Sequence, residues 1–339
     1  MPVDSASVPV PPGFAFRPYR GETDHPHILR VRLACRDGGG GIDPRSVVEP
    51  LPTSRAVADA AAAPGDPHRD QVLVEHEGSV AGYATITSWR DQDGTEVHLH
   101  RGWLLPALRG RGAGTAMVRW AEERIAALAR AHGTVDRACF AANAADVEPE
   151  SVALLTDLGY RRVFSVTEFE RAGLGDLPPL PGELPGGARL RPAEESHYRP
   201  VWEMVREAYA DTGNVGGWDF EEFARRAEPA HWQVAWDGSE VVGAALCVAG
   251  GGVAGAGDAG PDGGPVGEVR ELSVRKDRRR RGLGRALLIS GLHALARHGA
   301  GGVRLFTGSA NPYRSYELYQ SAGFRRVAEF GRYRKPFGD

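Results

Sequence analysis

The chain has 339 residues, of which 42% are hydrophobic and 25% charged, and a formal net charge of −3. This length favours two domains, while the balanced charge gives no reason to expect nucleic-acid or membrane binding, and no apolar run is long enough to span a bilayer. Its three cysteines lack metal or redox spacing and are expected to stay reduced. No signal peptide is visible, so the cytoplasm is the expected compartment.

Secondary-structure patterns in the first half of the chain follow one another closely. Apolar residues alternate in strand-like runs and recur every three or four residues in helix-like runs. The predicted order is strand, helix, two hairpin strands, strand, glycine turn, long helix, strand, helix and strand. The ranges are 14–19, 27–35, 72–76, 80–86, 96–105, 109–114, 115–132, 137–142, 151–158 and 162–169.

The same order begins again after residues 174–187, whose proline and glycine content is typical of a linker. Gly282 lies 170 residues after Gly112, and Gly323 lies 164 residues after Gly159, so turns and elements recur together. The sequence therefore predicts two copies of one β-α-β-β-β-α-β-α-β plan. The expected domains are residues 14–172 and 188–339, with a linker over 173–187.

A basic glycine turn stands between a strand and a helix in each copy. The N–H groups at a helix start have no intrahelical partner, glycines let the backbone approach a ligand, and arginines add charge. The turn therefore suits a phosphate group. It lacks the Lys-Ser or Lys-Thr pair of a P-loop and the third small residue of a dinucleotide fingerprint. The second copy reads Arg279-Arg280-Arg281-Gly282-Leu283-Gly284, and the first copy repeats the pattern over 109–114.

A second motif follows this turn and makes the pattern specific. It reads Asn311-Pro312-Tyr313-Arg314-Ser315-Tyr316-Glu317-Leu318-Tyr319-Gln320-Ser321-Ala322-Gly323-Phe324. This run is similar to the Asn-x3-Ala/Ser-x2-Leu-Tyr-x3-Gly-Phe signature of GNAT acetyltransferases, and the glycine turn resembles the pyrophosphate loop of that superfamily. Over nearly its whole length the chain resembles a tandem GNAT protein. The resemblance implies an α/β (α+β) class with two GNAT folds, each a mixed, mostly antiparallel sheet flanked by helices.

The resemblance also implies an acetyl-CoA site that uses no metal. The pantetheine arm is expected along the strand before the turn, the pyrophosphate on the turn, and the Asn311 side chain at the pantetheine amides. Residues implied in cofactor binding are Leu272, Ser273, Val274, Arg279, Arg280, Arg281, Gly282, Leu283, Gly284, Arg285, Asn311 and Tyr316. In the first copy they are Arg109, Gly110, Arg111, Gly112, Ala113 and Gly114.

Amine acetylation needs a base for the ammonium proton and an acid for the departing thiolate. Tyr319 matches the tyrosine that protonates the thiolate in this family. Glu268 matches a glutamate that several members use as general base, directly or through water. Regular alternation would place Glu268 on one strand face with Arg270 and Val274, and the rival base Glu271 on the other face.

The first copy keeps its glycine turn but not these two side chains. Leu155 stands at the place of Tyr319, and His98 stands at the place of Glu268. The first domain is therefore expected to be catalytically degenerate, and the second to be catalytic.

The expected activity is direct transfer of acetyl from acetyl-CoA to the primary amine of a small molecule, since no cysteine or serine is placed as an acyl carrier. Acidic and aromatic side chains suit a cationic amine. Candidates on the acceptor side are Tyr209, Asp211, Trp218 and Glu221, with Tyr333 from the tail. No nucleic-acid or membrane partner is expected, and the protein is expected to be a monomer or a homodimer.

Two alternatives stay open at this point. One is an acyl-CoA-binding regulatory or interaction protein without turnover. The other is acetylation of a thiol precursor, because the two-domain arrangement and the run 216–221 resemble the mycothiol synthases. A glycine-rich stretch precedes the strand of Glu268, where a His-rich loop is expected in those enzymes.

Overall fold

The computed structural model describes two folded units. By their contacts, the first unit combines Met1–Pro44, Glu49–Val166 and Ala328–Asp339, and the second combines Arg45–Val48 with Thr167–Val327. Within the residues described, no helix is both long and apolar enough to cross a membrane. Those residues are 8–37, 46, 48, 57, 70–91, 93–209, 219–250, 264–308 and 315–337.

The first unit is a mixed sheet covered by helices. Its strands, in hydrogen-bonded order, are β1 (Phe14–Pro18), β2 (Gln71–His76), β3 (Ser79–Arg90), β4 (Glu96–Leu104), β5 (Ala138–Ala145) and β12 (Arg325–Pro336). Neighbouring strands are antiparallel except β4 and β5, which are parallel. Its helices are α1 (His25–Asp37), α2 (Ala113–His132) and α3 (Pro149–Asp157).

Both faces of this sheet are buried, because successive strand residues point to opposite sides. Val74 and Phe140 pack in one apolar cluster with residues of α2. Leu73 and Tyr83 pack in another cluster with residues of α1. The sheet therefore has an α2 side and an α1 side.

The second unit repeats this arrangement. Its strands, in hydrogen-bonded order, are β6 (Arg161–Ala172), β11 (Gly302–Gly308), β10 (Val266–Val274), β9 (Glu240–Val248), β8 (Gln233–Asp237) and β7 (Arg189–Arg191). β10 and β11 are parallel, whereas β7 to β10 are joined by antiparallel pairs. Its helices are α4 (Tyr198–Tyr209), α5 (Phe220–Arg225), α6 (Leu283–Arg297) and α7 (Ser315–Ser321).

Helices again cover both faces of the sheet. Ala245 and Leu305 pack with residues of α6, whereas Ala244 and Leu246 pack with residues of α4 and α5. This sheet therefore has an α6 side and an α4 side. The predicted class, a mixed and mostly antiparallel sheet flanked by helices in each copy, is confirmed.

The two copies exchange their closing strands relative to chain order. β12 ends the second sequence repeat, yet it pairs with β5, and from Ala328 on it belongs to the first unit. β6 ends the first repeat, yet from Thr167 on it belongs to the second unit, where it lies beside β11. The boundary drawn at residue 172 follows the sequence repeat, whereas these contacts follow the exchanged strands.

The stretch expected to be a linker is packed within the second unit. Leu174 is buried in the cluster under α6, and Leu177 and Leu184 pack against the same cluster. The carbonyl of Pro178 lies 2.8 Å from Nε2 of His293 on α6. Its proline and glycine content reflects an absence of long helices and strands rather than an absence of packing.

Candidate active site

The glycine turn of the second unit is built from left-handed backbone. Arg280 has φ of 62° and Gly282 has φ of 85°, and α6 begins at Leu283 with no side chain capping its first N–H groups. In the first unit Gly110 has φ of 71° and Gly112 has φ of 84°, directly before α2. Left-handed φ is open to glycine without a steric cost, which explains the glycines just before each helix. Both turns thus present open helix N-termini that suit an anion.

The arginines of this turn do two different things. The guanidinium of Arg279 donates to the carbonyl oxygens of Val274 and Ala208, at 3.0 and 2.7 Å. Arg109 likewise donates from Nε to the Leu104 carbonyl at 3.3 Å. These two side chains fasten each turn to the preceding strand. Cationic side chains that stay exposed at the second turn are Arg280, Arg281 and Arg285.

The strands before each turn diverge from their parallel neighbours. Pairing of β10 with β11 ends at Val269 and Leu305, and pairing of β4 with β5 ends at Leu99 and Ala141. In the first unit, the gap beyond this point opens into a cavity of about 520 Å³ that extends to the turn. Where the two strands diverge, backbone groups that face the gap can pair with an extended ligand. The helix start beside them can bind an anionic group of the same ligand.

Strand β10 carries a β-bulge in the middle of the site. Val269 pairs with Cys247 and Glu271 pairs with the next residue back, Leu246, so Arg270 is the extra residue. A bulge reverses the alternation of the residues beyond it. Glu268, which pairs with Val248, and Glu271 therefore share the α4 side of the sheet. The expectation that they face opposite sides was wrong because it assumed a regular strand.

Glu268 is half-buried on this face and held by an ion pair. Nε of Arg270 lies 3.4 Å from its Oε2, and Nη1 of Arg270 lies 2.8 Å from Glu228. Burial raises the pKa of Glu268, and the charge of Arg270 opposes that rise. The carboxyl group is thus set to exchange a proton at a pH above the ordinary glutamate range.

Glu271 forms a compact polar cluster beside it. Both Tyr209 and Ser273 donate hydroxyl hydrogen bonds to its Oε1, at 2.7 and 2.6 Å. Burial raises the pKa of Glu271, while these two donors favour its charged form. Burial and the charge of Glu271 together raise the pKa of Tyr209, which therefore stays protonated. This cluster was not expected from the sequence. It depends on the bulge, and the sequence has no glycine or other residue there that would predict a bulge.

Tyr319 lies on α7, almost completely buried, with its ring centroid 5.7 Å from that of Phe169. Burial is the main cause that raises the pKa of its phenol, and the nearby charge of Glu271 raises it further. The phenol is therefore a proton donor held in its neutral form. Tyr316, expected at the cofactor, shares a hydrogen bond of 2.6 Å with the Thr167 hydroxyl.

The acceptor-side candidates are placed unevenly. Tyr209 joins the Glu271 cluster, whereas Glu221 is exposed in the first turn of α5. Tyr333, also expected on the acceptor side, is buried in the core of the first unit, since β12 belongs there. Three expected site residues lie outside the residues that the structure describes, namely Asp211, Trp218 and Asn311.

The corresponding strand of the first unit is regular. β3 and β4 pair without interruption, with His98 opposite Ser88, whose hydroxyl lies 2.7 Å from its Nδ1. His98 points to the α2 side, the side of the helix that follows the turn. Glu268 lies on the opposite side of its own sheet, away from the helix that follows its turn. On the same side as His98, His100 is buried, which lowers its pKa to about 4, with Nε2 2.9 Å from the Tyr160 hydroxyl. Without the bulge, the expected match of His98 to Glu268 fails.

Comparison with known proteins bears on this arrangement. The model of the Acetyltransferase (GNAT) family matches residues 44–160 and again 194–324. The chain belongs to the GNAT acetyltransferase family. Mycothiol acetyltransferase of Thermomonospora curvata is 32% identical over 273 residues, which cover 78% of this chain and 82% of that protein. The corresponding protein of Nocardia farcinica is 31% identical, over 75% of this chain and 78% of its own.

Solved structures agree on the fold. A GCN5-related N-acetyltransferase from Sphaerobacter thermophilus superposes with a TM-score of 0.74 at 24% identity, over 97% of both chains. A tandem GNAT protein from the clavulanic acid biosynthesis pathway gives 0.67 at 17% identity, over 96% of this chain and 99% of its own. The predicted family, tandem arrangement and enzyme class are confirmed, so this GNAT protein is an acyl-CoA-dependent N-acetyltransferase.

GNAT enzymes use acetyl-CoA, and the sites in this chain can be tested against that ligand. Open N–H groups at each helix start suit its phosphates, and the diverging strands suit its extended arm. Within the described ranges, no group of three or more His, Cys, Asp or Glu side chains is arranged to hold a metal ion. The residues present therefore fit acetyl-CoA.

Proposed function

We propose that the second unit transfers acetyl from acetyl-CoA to the primary amine of a small molecule by direct attack. One observation carries this assignment. In the second unit the bulge brings Glu268 and Glu271 to one face beside the diverging strands, and Tyr319 lies close enough for the charge of Glu271 to raise its pKa. The first unit has Leu155 and a regular strand at these places.

The cofactor would be held mainly by backbone groups. The N–H groups of the 279–284 turn, with the exposed arginines beside them, would hold its phosphates. Backbone groups of Leu272 to Val274, beyond the last residue of β10 that pairs with β11, would pair with its arm. The first-unit turn over 109–114 has the same left-handed geometry, and we assign it the same ligand class. When bound, acetyl-CoA supplies the acetyl thioester.

The side chains of the second unit would move the protons. Glu268 accepts a proton from the acceptor ammonium, directly or through water, because its raised pKa brings it nearer to that of the amine. A backbone N–H near Val274 would donate to the thioester carbonyl oxygen and stabilise the charge that develops there. Tyr319 donates its phenolic proton to the departing thiolate. Glu271 is the rival base, since it lies on the same face.

The acceptor class follows from charge. Glu228, Glu268 and Glu271 make this part of the second unit acidic, which favours a cationic amine over an anionic one. Mycothiol acetyltransferases are the relatives at 31–32% identity, so the desacetyl precursor of mycothiol is the first acceptor to test.

The deciding experiment is an amine panel with acetyl-CoA as donor. The panel contains the mycothiol precursor, an aminoglycoside, polyamines, amino acids and a peptide with a free N-terminus. CoA release is followed by chromatography, because a thiol acceptor would react with thiol reagents. We expect turnover with at least one small amine and none with the peptide. Binding of acetyl-CoA without CoA release across the panel would favour a regulatory protein instead.

A further inference from the structure

The cavity of the first unit is basic where the second unit is acidic. It runs from the glycine turn, at Gly112 and Gly114, to the α1 side of β4, at Arg101 and Trp103. Arg101 stands in β4 where Glu271 stands in β10, and both precede their turns by eight residues. The charged side chains that line the cavity are Arg32, Arg36, Arg101, Arg109, Glu148 and Glu150.

Two of these arginines lie near the same aromatic residues on the α1 side of β4. The guanidinium carbon of Arg32 lies 4.3 Å from the ring centroid of Trp103, and that ring stacks on Tyr83 at 4.8 Å. Burial raises the pKa of Tyr83 to about 12, and the charges of both Arg32 and Arg101 oppose the rise. Both cations therefore lie near the same phenol, in a place walled by aromatic rings.

One hydrogen-bond donor of the Arg101 guanidinium has no acceptor among the described residues. This donor is the N–H at Nε, and it is buried. A buried guanidinium N–H without an acceptor costs free energy that a bound anion would recover. A carboxylate is the natural acceptor, since arginine pairs with it through two parallel hydrogen bonds.

We propose that the first-unit cavity binds a CoA thioester whose acyl group ends in a carboxylate, with Arg101 and Arg32 pairing that carboxylate. The turn holds the phosphates, and the two arginines hold a second anion on the α1 side of β4. The inference rests on the assignment of the CoA class to the first-unit turn, but not on catalysis by the second unit.

The test is calorimetric titration of the full chain with acetyl-CoA, succinyl-CoA, and CoA with free succinate. We expect one site to bind succinyl-CoA at least about tenfold more tightly than acetyl-CoA, the effect of one charge-assisted hydrogen bond. Arg101→Gln should abolish that preference and leave the acetyl-CoA affinity unchanged. Arg101→Lys, which keeps the charge, should retain part of it.

Arg119→Gln is the matched control, because Arg119 is exposed on α2 and does not line the cavity. Equal affinities for the two thioesters, or an equal loss of both in Arg101→Gln, would overturn the proposal. Free succinate with CoA matching succinyl-CoA would also overturn it, since the carboxylate would then come from a separate ligand. Failure of every thioester to bind the first unit would overturn it as well, yet turnover in the amine panel would survive.

Discussion

Strands β4 and β10 occupy the same position in the two units, but β10 contains one extra residue. Both lead to a left-handed turn, and both part from a parallel neighbour. In β10, Arg270 forms a bulge that brings Glu268 to the face of Glu271, whereas regular β4 turns His98 to the other face. In the proposed function, cofactor binding relies on a backbone geometry that both units have, and proton transfer relies on the strand register of the second unit.

The charges of the two units differ in the same region. In the second unit Arg304, opposite Glu268 in the ladder, is completely buried and pairs with Glu168 and Glu170. In the first unit the ladder partner of His98 is Phe140, in an apolar core. The ladder partner of Glu268 thus belongs to a buried charged row, whereas the ladder partner of His98, on the other face of its own sheet, is apolar.

The largest expected effect comes from removing the proposed general acid of the second unit. Tyr319→Phe removes the proton donor of the second unit, so kcat should fall by about 10² to 10⁴, the usual contribution of a general acid. Acetyl-CoA affinity, measured by calorimetry, should not change. Leu155→Phe is the matched control in the first unit and should leave kcat unaltered. Wild-type kcat in Tyr319→Phe would end the assignment of the acid.

Breaking the buried row beside Glu268 should cost stability. Arg304→Leu removes a buried cation from the carboxylates of Glu168 and Glu170, which are 0% and 2% exposed, and should destabilise the second unit by about 3 kcal/mol. The loss is limited because the Ser46 hydroxyl still donates to Glu168 and the guanidinium of Arg325 still pairs with Glu170. Hydrogen exchange of the β11 amides reports that loss. Adding Glu168→Leu and Glu170→Leu should recover part of it. A cost as small as that of the exposed pair at Arg226, about 0.5 kcal/mol, would show that the row contributes little.

The smallest expected effect is a shift in the pH dependence of kcat/KM, which tests which glutamate acts as the base. As the proposed base, Glu268 would act as a carboxylate, and burial raises its pKa, so kcat/KM should fall as pH drops through that raised value. Arg270 holds the pKa of Glu268 down, so Arg270→Gln should move this acidic limb of the kcat/KM profile to higher pH. Arg297→Gln, at the end of α6, should not move it.

An unmoved limb in Arg270→Gln would point away from Glu268. Glu271, whose pKa depends on burial and on the hydroxyls of Ser273 and Tyr209, would then become the base to test.

The parts predicted from sequence are those that local chemistry dictates. Gly112 and Gly282 marked their turns because left-handed backbone favours glycine, and the repeat followed from their matched spacing. The bulge at Arg270 was missed because it arises from packing against β9 and needs no special residue. The polar cluster of Glu271 and Tyr209 was missed for the same reason. The pairing of β12 with β5 was missed since alternation identifies a strand but not its partner.

The exchanged strand β12 bears on how the protein is made. A ribosome produces the chain from its N-terminus, so the sheet of the first unit must wait for its last strand until the whole second repeat has emerged. During that interval the free edge of β5 is open to other strands. Any fragment that stops before residue 325 keeps this edge exposed, and the first unit becomes complete only after β12 has been synthesised.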